Sequence, residues 1–245
     1  MSERIHFASF EVRDDIGWIV MDDGKANAIH PKLLESLESR LEESLQAGVR
    51  AVVLSGRPGF FSAGLDRKLL PAMPDAELYA ALAAFFHLTK RLLGFPLPVV
   101  AAVTGHAVAA GSVILLACDA AVACRGDYRI GLNETTLGIP LPPFLVEMAR
   151  LKLRPRNLMG ALAGGELYSV EEALDVGFLD GVCEPPRLAG RCADLASTMA
   201  AIPNRAYHET KLALRSAPLH LETQTLIENL IAFFRGKGNP GSAAH

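Results

Sequence analysis

The stretch from Val99 to Pro143 constrains the fold of this chain more than any other. It opens with the apolar run Val99 to Val103, which is typical of a fully buried strand. Small residues follow from Ala107 to Gly111, and the apolar segment Ser112 to Ala117 can begin a helix. Small residues between a strand and a helix suit either close packing or the close approach of a ligand to the main chain. The first N–H groups of such a helix have no partner within it and can stabilise a negative charge.

A solitary acid follows this turn, on the short polar island Asn133-Glu134-Thr135. An isolated glutamate between apolar runs is usually a solvated surface residue. A charge-stabilising main chain and one nearby carboxylate are, however, the two parts that proton transfer beside a carbonyl requires. The combination predicts a site of proton transfer that includes Glu134.

Composition excludes several other classes of function. Half of the 245 residues are hydrophobic, which is enough for a sizeable core, and the net charge is −3. Acidic and basic residues are mixed along the chain, without the basic stripe of a nucleic-acid-binding surface. No run of about 18 apolar residues could span a membrane. We therefore expect neither nucleic acid nor a membrane as a partner.

Cysteine usage and missing motifs narrow the function further. The four cysteines form no Cys-x-x-Cys pair and no zinc spacing, and Cys118 and Cys183 are predicted to be buried free thiols. Because the N-terminal residues also lack the apolar core of a signal peptide, we expect a cytoplasmic protein. The sequence has no P-loop, no G-x-S-x-G elbow and no G-x-G-x-x-G after a strand. It thus predicts no metal and no bound flavin or nicotinamide.

The remaining segments alternate between strands and helices, which is the order of an α/β fold. Residues 5–12 and 16–22 predict a hairpin, and Val49 to Ser55 predicts a second buried strand. One helix is predicted to begin at Pro31 and another to be capped by Asp75. The later pattern is helical, and its predicted segments are 144–152, 155–163, 169–176, 189–201, Pro203 to about Ser216, and 219–234, before a loose tail at 236–245.

Several motifs occur in an order and spacing that resemble one family over about residues 8 to 216. They are Phe61-Ser62-Ala63-Gly64-Leu65-Asp66, Pro98 to Gly105, Gly111, Cys118-Asp119, Gly131 to Glu134, Gly165, Glu172-Ala173, Gly177, and the string from Pro203 through Thr210-Lys211 to Leu214-Arg215. As a set they resemble the crotonase superfamily, that is, the enoyl-CoA hydratases and isomerases. Residues 130–139, which read IGLNETTLGI, are most similar to the mitochondrial-type Δ3,Δ2-enoyl-CoA isomerases.

The resemblance implies an α/β fold, a crotonase-like spiral of β-β-α turns over residues 1–190 with a helical C-terminal trimerisation region over residues 191–245. It further implies a homotrimer or a dimer of trimers, and an acyl-CoA thioester as the ligand. Coenzyme A then enters as part of the substrate, so no separate cofactor is expected.

In this family two main-chain N–H groups hold the thioester oxygen. By resemblance, one is the N–H of Leu65 and the other is the N–H of Ala110. The second lies in a triplet that is usually glycine and here reads Ala109-Ala110-Gly111. An alanine N–H donates equally well if Ala110 adopts a helical backbone, but its methyl group narrows the slot for the thioester.

The acids of the site differ from those of a hydratase. Hydratases of this family grip a water with two glutamates, and the two positions here are Val113 and Glu134. With Val113 in place of the first glutamate, we expect poor hydration and an apolar wall that raises the pKa of Glu134. One carboxylate is sufficient to move a proton between two carbons, so an isomerase is favoured.

Four charged residues are candidates for contact with coenzyme A. The family places the acid at Asp66 near the turn that contacts the adenine end, although the same residue can simply cap the next segment. Lys25, Arg67 and Lys68 can meet the CoA phosphates by charge, although surface cations are mostly only solvated.

The remaining candidates have both a functional and a structural interpretation. Ala63 belongs to the first small-residue turn and is expected to contact substrate, and Asn133 is expected to orient the loop that carries Glu134. His106 is interpreted as a structural histidine. Phe233 and Phe234 can line an acyl pocket or pack between subunits.

Two other functions stay open from the sequence alone. The chain can catalyse another reaction of the superfamily, such as weak hydration or thioester hydrolysis. It can also be a non-catalytic acyl-CoA-binding protein, because fold alone does not decide function.

Overall fold

The computed structural model describes residues 7–236 and contains two sheets. Strands and helices are numbered in chain order. The six-stranded sheet has the spatial order β1 (Ala8–Arg13), β2 (Ile16–Met21), β3 (Ala51–Ser55), β5 (Val99–Val103), β7 (Ala120–Cys124) and β9 (Gly181–Cys183). The three-stranded sheet has the order β4 (Gly59–Ser62), β6 (Gly105–Val108) and β8 (Ile130–Gly131).

Helices connect and cover these strands, which confirms the predicted α/β order. They are α1 (Pro31–Gln46), α2 (Asp75–Leu93), α3 (Ala110–Ala117), α4 (Pro143–Arg150), α5 (Val170–Val176), α6 (Leu188–Ala200), α7 (Asn204–Leu214), α8 (Ser216–His220) and α9 (Gln224–Phe234). The predicted helix at 155–163 is instead a 3-10 turn at Pro155–Asn157 and a π-helical segment at Met159–Ala163. The predicted tail lies outside the described residues except for Gly236.

The six-stranded sheet begins with the expected hairpin. β1 and β2 pair antiparallel, and Asp14 and Asp15 between them have φ of 48° and 61°. Two consecutive residues with positive φ form the kind of tight turn that matches the twist of a hairpin. From β2 onward, neighbouring strands are parallel, because helices carry the chain back between them.

The three-stranded sheet was not predicted. The sequence pattern indicated small-residue turns at Ala107 to Gly111 and at Ala63 without strands at Gly59–Ser62 and Gly105–Val108, but these two segments pair as parallel strands. Glycine allows this pairing, because a Cβ atom on Gly105 would lie 1.9 Å from the carbonyl carbon of Gly59. A Cβ atom on Gly111 would lie 2.3 Å from the carbonyl oxygen of Ser62. The small residues therefore serve close packing, and that packing brings the N-terminus of α3 against the end of β4.

The C-terminal helices are continuous with the core. The boundary predicted between residues 190 and 191 lies inside α6, which packs on β3, β5 and β7. The buried residues between α6 and the sheet include Trp18, Val53, Val100 and Cys192. This face of the sheet would be open to solvent without α6.

The N-terminus of α2 differs from its prediction. The N-cap of α2 is Pro74, and Asp75 is the first helical residue rather than the predicted cap. The Asp75 carboxylate instead accepts a hydrogen bond of 2.7 Å from Arg235 Nε. The helix predicted at 219–234 is split into α8 and α9 around residues 221–223.

The thiols are only partly as predicted. All four cysteines are free, and Cys118 is fully buried, which raises its pKa to about 12. Cys183 is half-buried, so the prediction of a buried thiol is wrong at that position. Over residues 7–236, no helix combines the length and apolar character that crossing a membrane requires.

A buried ion cluster fastens α7 to the sheet. The Asp119 carboxylate accepts hydrogen bonds of 2.7 Å from Lys211 Nζ and from the Val99 N–H, and it lies 3.0 Å from the Arg215 guanidinium. Arg215 also donates to the carbonyls of Leu93 and of residues 117 and 118. Burial lowers the pKa of Lys211 to about 8, although the Asp119 charge opposes this shift. The cluster joins α7 to the start of β5 and to the segment between α3 and β7.

Candidate active site

A cavity of about 70 Å³ lies where the loop after β4 and the N-terminus of α3 meet α2, α9 and residues 134–141. Glu134 and Arg67 are the charged side chains in its lining, and the other lining residues are apolar. An apolar pocket with few polar groups is typical of a small-molecule site.

The loop after β4 presents one unpaired main-chain donor. Ile29 and Leu65 form a parallel bridge in which the Ile29 N–H donates to the Gly64 carbonyl and the Asp66 N–H donates to the Ile29 carbonyl. These bonds use the peptide groups that flank Leu65, so the N–H of Leu65 points away from Ile29. Leu65 itself lines the cavity, and its N–H has no acceptor among the described residues.

A second donor lies beside it at the start of α3. As the first residue of the helix, Ala110 has an N–H without a partner inside the helix. A Cβ atom on Gly64, which has φ of 87°, would lie 3.3 Å from the Ala110 nitrogen and 2.9 Å from the Val108 carbonyl oxygen. The absence of a side chain at Gly64 therefore lets the two segments meet, and both free N–H groups belong to residues that line the cavity.

The strain of this turn is at Ala109 rather than at Ala110. Ala110 is helical, as its expected role requires, whereas Ala109 has φ of 52° and ψ of −125°. A non-glycine residue in such a conformation costs about 1–3 kcal/mol. Surrounding bonds hold it there, including the bond of 2.9 Å from the Ala109 N–H to the Gly131 carbonyl.

Glu134 is a buried acid without a partner. Its side chain lines the cavity, it is 8% exposed, and Oε2 has no hydrogen-bond partner among the described residues. Burial raises its pKa to about 7, and a hydrogen bond from its own main chain opposes part of that shift. Val113 lines the same cavity and belongs to its apolar wall. A carboxyl group with this pKa can both release and accept a proton near neutral pH.

A short 3-10 turn at Thr135–Leu137 holds Glu134 in place. The Glu134 carbonyl accepts hydrogen bonds of 3.0 Å from the N–H groups of Leu137 and Ile139. The Thr135 hydroxyl donates to the Leu162 carbonyl at 3.1 Å, which ties the turn to the π-helical segment. The backbone at the acid is thus fixed by bonds to its own carbonyl and by the bond of the residue that follows it.

The structure brings most of the predicted substrate-contacting residues together. Ala63, Leu65, Ala110, Val113 and Glu134 all line the cavity. Each residue lies in the loop after β4, in the first turn of α3 or at the turn after β8, and the parallel strands β4, β6 and β8 bring these three segments to the same edge.

Other predicted residues lie elsewhere. Asn133 does not line the cavity; its carbonyl accepts from the Thr136 hydroxyl, and its buried Oδ1 makes no hydrogen bond that could orient the loop. Asp66 caps its own turn, since Oδ1 accepts bonds of 2.9 Å from the N–H groups of Lys68 and Leu69. His106 Nδ1 accepts from the Arg129 N–H at 3.0 Å, which agrees with a structural histidine.

The three candidate phosphate contacts have different positions. Arg67 lines the cavity, whereas Lys25 and Lys68 are exposed outside it. Lys25 is nevertheless adjacent to the loop after β4, because the Ala63 N–H donates to the Ala26 carbonyl at 3.0 Å.

Much of the apolar wall of the cavity was not predicted from the sequence. Phe85 and Phe86 from α2 and Leu226 and Leu230 from α9 line the cavity, together with residues 137, 139–141 and 145. Phe233 and Phe234 also line it, which favours the acyl-pocket interpretation. The spacing of four between Leu226 and Leu230 signalled an apolar helix face, but not what that face would cover. No group of three His, Cys, Asp or Glu side chains within residues 7–236 could hold a metal ion.

Together, the two sheets, the meeting of the two small-residue loops and the covering helices constitute the crotonase fold, which solved structures share. The family model described as enoyl-CoA hydratase/isomerase matches residues 11–234. The chain therefore belongs to the enoyl-CoA hydratase/isomerase family.

Its relatives include enzymes named for both reactions. The chain is 32% identical to human mitochondrial enoyl-CoA delta isomerase 1 over 206 residues, which cover 82% of this chain and 68% of the relative. It is 34% identical to a probable enoyl-CoA hydratase of Bacillus subtilis over 178 residues, which cover 70% and 67%. The crystal structure of human mitochondrial Δ3-Δ2-enoyl-CoA isomerase superimposes with a TM-score of 0.87 at 29% identity, over 93% of this chain and 92% of that one. The choice between the two reactions therefore depends on the site.

Proposed function

We propose that this enzyme moves the double bond of a 3-enoyl-CoA to give the 2-enoyl-CoA, with Glu134 as its single proton carrier. The observation that carries the proposal is the pairing of positions 113 and 134. Glu134 is a buried carboxyl group without a partner, and the residue in the position of a second acid is Val113.

In the first step, the ionised Glu134 takes a proton from C2 of the substrate. The electron pair of that C–H bond moves through the thioester and the double bond, which gives a dienolate with its negative charge on the thioester oxygen. In the proposed pose this oxygen accepts hydrogen bonds from the N–H groups of Leu65 and Ala110. Such preorganised donors stabilise a developing charge more than water does.

In the second step, Glu134 returns the proton to C4, and the electrons move back to leave the double bond between C2 and C3. No atom is gained or lost, so one group that alternates between base and acid is sufficient. The apolar wall supports this role, because a dry pocket limits loss of the proton to solvent.

Hydration makes a different demand on the site. It requires a water molecule held and activated at C3, and Glu134 is the only carboxylate that lines the cavity in the described part of the chain. Val113 offers no hydrogen bond to that water. The site therefore favours isomerisation over hydration.

Coenzyme A is proposed to enter as part of the substrate, and Lys25, Arg67 and Lys68 are proposed to contact its phosphates by charge. A homotrimer or a dimer of trimers is the proposed assembly, which light scattering would report. The proposed location is the cytoplasm.

The test offers 3-hexenoyl-CoA and 2-hexenoyl-CoA separately and follows the products by chromatography and mass spectrometry. We expect a double-bond shift with the first and little product one water heavier with the second. Glu134→Gln should lower the rate of the shift by at least about 10³-fold, whereas Glu35→Gln, an exposed match on α1, should not change it.

Three outcomes would overturn the proposal. Strong hydration of 2-hexenoyl-CoA would indicate a hydratase, and undiminished turnover by Glu134→Gln would remove the proton carrier. Tight binding of both thioesters without any turnover would indicate an acyl-CoA-binding protein.

A further inference from the structure

Helix α9 supplies part of the apolar wall of the cavity. Leu226, Leu230, Phe233 and Phe234 line the cavity from this helix. The same helix is only partly buried, with Ile231, Phe233 and Phe234 half-exposed. The part of the wall that α9 supplies is therefore a single helix thick.

Two cations fasten this helix along α2. Near the C-terminal end of α2, Lys90 Nζ donates to the Leu221 carbonyl at 2.6 Å, just before α9 begins. At the other end, Arg235 directly follows α9 and reaches the start of α2. Its guanidinium donates to Asp75 at 2.7 Å, to the Pro71 carbonyl at 2.6 Å and to the Met73 carbonyl.

The Arg235 contacts join three parts of the molecule. Residues 71 and 73 belong to the connector that follows the loop of Leu65, and Asp75 begins α2. Because the charged guanidinium donates to two main-chain carbonyls as well as to a carboxylate, its hold on the connector depends little on the exposed Asp75. Phe233 and Phe234 come immediately before Arg235, so the position of both rings depends on this contact.

The cavity is partly open to solvent, and its apolar lining suits an acyl chain. Because Leu226, Leu230, Phe233 and Phe234 belong to that lining, the position of α9 relative to α2 affects how much of an acyl chain the cavity can hold.

We propose that Arg235 is a positioning residue for acyl-chain selection: by fastening α9 to the connector and to α2, it sets the length of acyl chain that the cavity accepts. This inference rests on the proposed acyl-CoA function but not on the chemistry of Glu134. Arg235 acts through the helix that carries Phe233 and Phe234.

The experiment measures binding of saturated hexanoyl-CoA and dodecanoyl-CoA by calorimetry, since neither has a double bond to shift. The quantity compared is the ratio of the two dissociation constants in the wild type and in each variant. Arg235→Ala should change this ratio by at least about fivefold in favour of the longer chain. Arg235→Lys should change it in the same direction but less, because a lysine can still donate to one of the carbonyls.

Two matched controls separate selection from general loosening. Asp75→Asn removes the negative charge of the partner, whose side chain is 77% exposed, and should leave the ratio within about twofold. Arg205→Ala removes an exposed ion pair with Glu209 on α7 and should leave the ratio unchanged.

The inference is overturned if folded Arg235→Ala and Arg235→Lys weaken both ligands equally, since that result indicates a merely structural arginine. It is also overturned if Arg205→Ala shifts the ratio as much as Arg235→Ala does. A wild type that binds both thioesters but fails to isomerise 3-hexenoyl-CoA would contradict only the proposed reaction, so the two failures are distinguishable.

Discussion

Asp119 and Glu134 both have buried carboxyl groups, and the surroundings of the two groups differ completely. The side chain of Asp119 is 5% exposed and bonds to Lys211, Arg215 and the Val99 N–H. Glu134 is 8% exposed, and one of its carboxyl oxygens has no partner in the described part of the chain. Burial alone therefore does not define a functional acid. What distinguishes Glu134 is a buried oxygen left free to meet a substrate.

The two acids also differ in their effect on the stability of the fold. The Asp119 cluster holds α7 and β5 together, so its loss removes structure. The cavity instead contains an acid that burial makes harder to ionise and an alanine at positive φ. Strain and unpaired groups of this kind are common at functional sites.

The largest expected effect on stability is at the partnered acid. Asp119→Ala should lower the free energy of unfolding by about 3–5 kcal/mol, because it leaves the buried cations of Lys211 and Arg215 unpaired. Urea denaturation would measure the loss. As a control, Glu209→Ala removes the exposed partner of Arg205 and should cost less than about 0.5 kcal/mol. Equal losses in the two variants would mean that the buried cluster has no special role.

At the unpartnered acid, Glu134, substitution is expected to raise the free energy of unfolding rather than lower it. Between pH 4.5 and 7 the folded protein keeps a proton on Glu134 that the unfolded chain releases, so stability falls as the pH rises through this range. Glu134→Gln cannot ionise and should be more stable than the wild type by about 3 kcal/mol above pH 7. Below pH 4.5 the difference should vanish.

Urea denaturation of both proteins at pH 4 and pH 8 would check this prediction. A Glu134→Gln variant that differs from the wild type by the same amount at both pH values would show that the burial of the ionised acid carries no cost. A destabilised variant at pH 8 would show that Glu134 has a partner there.

The smallest expected effect concerns the strained residue of the same site. Ala109→Gly should raise the free energy of unfolding by about 1 kcal/mol, since glycine adopts positive φ without a steric penalty. Glycine also has more freedom in the unfolded chain, which limits the gain. Thermal unfolding would compare this variant with Ala47→Gly, which replaces a residue of negative φ at the end of α1. The free energy of unfolding should fall in Ala47→Gly.

How far the sequence predicts this molecule depends on the range of each interaction. The loops of Leu65, Ala110 and Glu134 are marked by local motifs, so the residues by which they line the cavity could be named in advance. The pairing of β4, β6 and β8 could not be predicted, because it depends on contacts between segments about 25–45 residues apart. Glycine makes room for these contacts but does not determine which segments pair.

Long-range partners explain the other omissions. Asp119 and Lys211 lie 92 residues apart, and no periodicity links them. The apolar face of α9 is visible in the spacing of Leu226 and Leu230, but only tertiary packing decides whether such a face covers a cavity or another subunit. The role of Asn133 stays a prediction: its carbonyl accepts from the Thr136 hydroxyl, and its side-chain oxygen has no partner among the described residues.

The most direct test of the central claim is the pH dependence of kcat/KM for 3-hexenoyl-CoA, which reports the essential groups of the free enzyme. If the buried Glu134 is the base, kcat/KM should rise about tenfold per pH unit below the pKa and level off above it, with a midpoint near 7. A midpoint near 4.5, the ordinary value for a glutamate, would contradict the account, because the base would then be a solvated acid rather than the buried Glu134.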